Sequence, residues 1–75
     1  MNSGIDKTNG IDRLELLNVL EQSLANETEL LRTYVIAAER IHENEELKER
    51  LQNFAEGNAK RSRQLQDEIR YLKGE

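Results

Sequence analysis

The chain has 75 residues, 35% of them charged and only 4% aromatic, with no cysteine, no proline and a net charge of −4. Disulfides and thiolate metal sites are excluded, there is no global pull toward nucleic acid or an anionic membrane, and so short a chain buries too little surface to stand comfortably alone. No apolar run approaches the ~20 residues of a membrane span, and the mix of Glu, Leu, Arg, Ala and Lys is that of long helices, so the expectation is a soluble cytoplasmic protein.

Residues 1–10, MNSGIDKTNG, are small and polar and read as a flexible N-terminal tail. A helical hairpin is expected over residues 11–73. Asp12 is a good N-cap and Glu15 completes a capping box, while Ile11 and Leu16 have the spacing of a hydrophobic staple. Helix 1 should run from about 13 to 43 without a breaker. Asn44 suits a helix end or a new N-cap, and Glu45 and Glu46 suit the positive end of a helix dipole. A tight turn is therefore expected at about 42–45, then helix 2 at about 46–72, stopped by Gly74. His42, the single histidine, is expected to cap the end of helix 1. Glu46 with Arg50, and Glu56 with Lys60, are spaced as exposed helical ion pairs.

Two long helices joined by a short turn lie antiparallel. The apolar stripe of helix 1 is Leu16, Leu17, Leu20, Leu24, Leu30, Leu31, Tyr34, Ala38 and Ile41. That of helix 2 is Leu47, Leu51, Phe54, Ala55, Leu65, Ile69 and Leu72. Stripes this wide cannot be covered within one hairpin. The fold class is all-α, a two-helix antiparallel hairpin expected to form a homodimeric four-helix bundle or a higher oligomer.

Each stripe is interrupted by polar residues. At about 100° per residue, Glu27 falls at the centre of the apolar face of helix 1, with Ser23 beside it. Asn58 falls at the centre of the face of helix 2, flanked by Arg61 and Ser62. Residues equally distant from the turn lie side by side, so the two interruptions should meet. The plain reading is a buried Glu27–Arg61 salt bridge, with Ser23, Asn58 and Ser62 filling the remaining hydrogen bonds. Such a layer costs stability but fixes register and partner choice. Tyr34 is expected to direct its hydroxyl toward this layer, and Tyr71 to be exposed. Gly57 adjoins the layer and costs about 1 kcal/mol against Ala within a helix, which either a closely approaching neighbour helix or simple tolerance would explain.

The stretches LANETELLRTYVIAAERI and ELKERLQNFAEGNAKRSRQL resemble one helical hairpin of the ferritin-like superfamily, especially the rubrerythrin branch. In that family a metal-binding Glu is followed seven residues later by a Tyr, as Glu27 is by Tyr34. The E-x-x-H motif of its second helix falls here on Asn58 and Arg61. The resemblance implies a ferritin-like half bundle. The histidine is not kept, and a fixed cation at Arg61 occupies the place of a metal, so the family's iron chemistry is not expected to carry over.

There is no Gly-rich phosphate loop, no nucleophile–base pair and no zinc-ligand spacing, so no enzymatic activity and no cofactor are expected. The leading expectation is a non-catalytic structural or protein-interaction module whose partner is itself or an unidentified protein. One alternative is a metal-binding, iron-handling protein using Glu27 and Asn58. A further alternative is a Rop-like RNA-binding bundle, suggested by KRSR at 60–63 with Arg70 and Lys73. Asp67 and Glu68 interrupt that basic patch, so nucleic acid is not the favoured partner.

Overall fold

The computed structural model of the protein describes residues 10–74, so the tail expected over 1–10 lies outside the described residues except for Gly10. Among the described residues there are two helices: α1, Arg13–Glu39, and α2, Glu45–Lys73. They pack antiparallel as a hairpin measuring 58 × 23 × 14 Å. A thickness of 14 Å is one layer of helices, since a helix with its side chains is about 10–12 Å across.

The start of α1 is set by local chemistry. The Asp12 carboxylate accepts from the Glu15 backbone N–H at 2.8 Å, and Glu15 Oε1 accepts from the Asp12 N–H at 3.2 Å, which completes the capping box. Asn44 opens α2 in the same way, its side chain accepting from the Leu47 N–H at 3.0 Å. Gly74 ends α2 at φ 79, the left-handed conformation that glycine adopts without a Cβ clash. The Arg13 guanidinium donates to the Leu72 carbonyl, tying the open ends of the hairpin together.

The end of α1 departs from expectation. The helix stops at Glu39 and not at about 43. Its last turn tightens, with the Arg40 N–H bonded to Ala37 O at 3.0 Å and the Ile41 N–H to Ala38 O at 3.2 Å. Asn44 caps α2, and the connection begins at Arg40, so it is longer than the tight turn expected at 42–45. His42 consequently lies in this connection, exposed and beyond the C-cap at Arg40, and does not cap α1. The expected pairs Glu46–Arg50 and Glu56–Lys60 do not form. Among the described residues, the ion pairs within a helix are Arg32–Glu29 at 3.0 Å and Arg70–Asp67, each three residues apart.

The apolar interior is thin. Among the described residues its buried members are Ala38, Ala55 and Ile69, and no large side chain is fully buried. Leu20, Leu31, Leu51 and Leu65 are half-buried along the seam. No helix among the described residues is long and apolar enough to cross a membrane.

Candidate functional site

The hairpin brings Glu27 of α1 to the level of Asn58 and Arg61 of α2, as equal distance from the turn requires. Asn58 Nδ2 donates to Glu27 Oε1 at 2.6 Å, and Arg61 Nε donates to Glu27 Oε2 at 3.0 Å. Both carboxylate oxygens are therefore engaged by donors. The Asn58 amide foremost, and then the Arg61 guanidinium, hold the Glu27 carboxyl below its ordinary value against the opposing effect of partial desolvation.

The layer is less buried than a dry salt bridge would be. Asn58 is 3% exposed, but the Glu27 side chain is 21% exposed and that of Arg61 55%. The buried partner of Glu27 is thus Asn58, while Arg61 stands at the edge of α2 and covers the carboxylate from the open side. The helical angle explains this: Asn58 faces α1 directly, and Arg61 is rotated by about 60° from it. The expected contributions of the serines and the tyrosine are also absent among the described residues. Ser23 lines a hollow with Glu27, Arg61 and Leu65 but makes no hydrogen bond to either charge. Ser62 Oγ and Asn58 Oδ1 are buried without partners, which costs stability. Tyr34 packs its ring against Phe54, with centroids 5.4 Å apart and planes tilted by 59°, and its hydroxyl does not bond Glu27.

Gly57 has a local explanation. A Cβ there would stand 3.3 Å from Nη1 and 3.4 Å from Nη2 of Arg61. The glycine leaves room for its own helix's guanidinium to fold back one turn while Nε reaches Glu27. A neighbouring helix is not what fills that space in the hairpin.

Beside the layer lies an open hollow of about 300 Å³ whose walls include Leu30, Tyr34, Phe54, Gly57 and Arg61. Phe54 is 52% and Leu30 42% exposed, so the charged pair is set in an uncovered apolar face. The sequence pattern assigns Leu30 and Phe54 to the covered stripe and passes over two residues on the same side of α2, Arg50 and Glu68. The signal that would have found them is a second run at heptad spacing beside the core stripe: Arg50, Phe54, Gly57, Arg61, Gln64 and Glu68.

The chemistry open to this site is limited by its donors. No three Asp, Glu, His or Cys side chains converge among the described residues. Glu27 and Asn58, the pair considered as metal ligands, are bonded to each other, and the guanidinium stands on the remaining oxygen. The arrangement can hold two helices in register and can present Arg61 to a covering partner. In comparisons with family models, curated proteins and solved structures, no match to the chain was found.

Proposed function

We propose that the protein is a non-catalytic, self-associating helical module: a hairpin, ferritin-like in shape, that dimerises into a four-helix bundle with a Glu–Arg layer in place of a metal site. The observation that carries this reading is the uncovered face. Leu30, Tyr34 and Phe54 line one hollow, with Arg61 at its edge, on a hairpin only one helix layer thick. Domains are stable when two layers enclose a core, and a contiguous exposed apolar patch marks an interaction surface. Ala38, Ala55 and Ile69 alone are a small core for two helices of 27 and 29 residues. The ferritin-like part of the reading rests on the sequence resemblance, in which Glu27 is followed seven residues later by Tyr34 and the E-x-x-H motif falls on Asn58 and Arg61.

Native mass spectrometry before and after incubation with ferrous iron tests the proposal. A dimer that takes up no iron agrees with it. Stoichiometric iron bound to a dimer or larger ring would favour the metal-handling reading through Glu27. A monomer at every concentration would remove the basis for self-association.

A further inference from the structure

We propose that two copies pack face to face about a two-fold axis that crosses the hairpin at the level of Thr28 and Ala59, so that the turns lie at opposite ends and each helix runs antiparallel to its own copy. This rests on the self-association reading and extends it by fixing the symmetry, the register and the contacts.

The charges of α2 set the height of the axis. The open side of this helix carries Arg50, Phe54, Gly57, Arg61, Gln64 and Glu68, at alternating steps of four and three. Ala59 stands at the middle of that run. A second copy turned about this level sets Arg50 against the second copy's Glu68, Phe54 against its Gln64 and Arg61 against its Gly57. A cation meets an anion at each end of the run. The interface is isologous, so every such pair occurs twice.

The lack of charge on α1 independently sets which helix faces which. The open side of α1 carries Val19, Ser23, Asn26, Leu30, Thr33 and Ala37 at the same alternating steps, and none of the six is charged in a chain that is 35% charged. A neutral strip loses least by packing on its own copy, and the charged strip of α2 finds opposite charges only on its own copy. The levels agree as well. Glu27 bonds both Asn58 and Arg61, so the level opposite Glu27 lies between those two, and Thr28 stands opposite Ala59. Thr28 is also the middle of the neutral strip. About it, Val19 meets the second copy's Ala37, a large side chain against a small one, and Ser23 meets its Thr33. Leu30 meets the exposed Asn26, and the two copies of Leu30 lie about 6 Å apart along the helix direction, close enough to cover each other over the axis. Val19 is 49% and Leu30 42% exposed in the single hairpin, so both have surface to bury.

Other registers of this face fail on the same residues. A slide of one heptad toward the turn sets Arg50 against Arg61. A slide of one heptad the other way carries the partner of Arg50 past Lys73, the end of α2. Turns at the same end would stack α1 on the second copy's α2, with Arg50 on Ala37 and Glu68 on Val19, and would desolvate both charges without a partner. In the proposed register the central layer holds two Glu27 and two Arg61, and its charges cancel.

Charge reversal tests the register. Arg50→Glu and Glu68→Arg should each raise the dimer dissociation constant by about tenfold, because each turns two attractive pairs into repulsive ones. The double variant should return to near the wild-type value. Within one copy the two positions are about 27 Å apart at ~1.5 Å per residue, so rescue has to come from contact between copies. Spin labels give the geometry directly. The along-axis offset between copies should be about 30 Å for labels at Glu49 and about 9 Å at Glu56, whereas turns at the same end give equal distances at both sites. A wild-type dimer with no rescue, or with equal label distances, would overturn this register while leaving self-association intact. A wild-type monomer would overturn both.

Discussion

At Glu27 the sequence puts a carboxylate where the hairpin wants an apolar side chain, and the two donors from α2 determine how it behaves. Its folded-state acidity is stronger than that of the unfolded chain, chiefly through Asn58 and then Arg61. A depressed carboxylate contributes stability that is fully present above the unfolded value of about 4.3 and is lost as pH falls through the lower folded value. Urea midpoints should therefore fall on acidification below about pH 5, and Glu27→Gln should flatten that dependence; an unchanged profile would mean that other carboxylates set it. Asn58 is the more deeply placed partner. Asn58→Ala removes the shorter bond to Glu27 from a nearly dry position, and a loss of about 1–3 kcal/mol is expected in urea melts. Arg61→Ala should cost the isolated hairpin less than Asn58→Ala does, because the guanidinium is more than half exposed and water can replace it. Gly57→Ala needs Arg61 to yield by only a few tenths of an ångström at the flexible end of its side chain, so the gain in helix propensity, up to about 1 kcal/mol, should dominate in the hairpin.

The two helices, as elements, are defined by their ends and their seam. Asp12, Asn44 and Gly74 mark three helix ends that were legible in the sequence, because capping needs only a short polar side chain or a missing Cβ and depends little on distant packing. The fourth end was not legible. Nothing between Arg40 and Glu43 forbids a helix, yet α1 ends at Glu39. Asp12→Ala should lower stability by about 1 kcal/mol by leaving the Glu15 N–H without its acceptor, with loss of helical circular dichroism on gentle heating as the readout. Ala38 and Ala55, 2% and 6% exposed, are buried small side chains of the hairpin. Ala38→Leu should force the helices apart at a cost of about 1–3 kcal/mol, whereas the equal change at the exposed Ala25 should leave the single hairpin nearly unaffected. The meeting of Glu27 with Asn58 and Arg61 was also legible, since hairpin register follows from distance to the turn. The exposure of Arg61 follows from its rotation of about 60° from Asn58, which the expectation of a buried pair passed over.

As a whole molecule the hairpin is, among the described residues, a single layer of two helices with apolar side chains left open on both sides, Leu14 and Val35 on one and Leu30 and Phe54 on the other. Phe54, Leu30 and Val19 stand in water on that second side, and the buried apolar residues among those described are Ala38, Ala55 and Ile69, two of them alanines. Burial of apolar surface at roughly 25 cal/mol per Å² cannot accumulate to a comfortable stability from so little, whereas covering the open face would approximately double the layers that contribute. Stability is then inseparable from concentration, and the melting temperature should rise as the protein is concentrated. Self-association is tested most directly by sedimentation equilibrium of the wild-type chain across a wide range of concentration. The expected result is a reversible shift from the 8.7 kDa of one chain toward twice that mass, with helical signal growing in step. A well-folded single chain of unchanged mass and helicity over the whole range would mean that the hairpin is complete without a second copy.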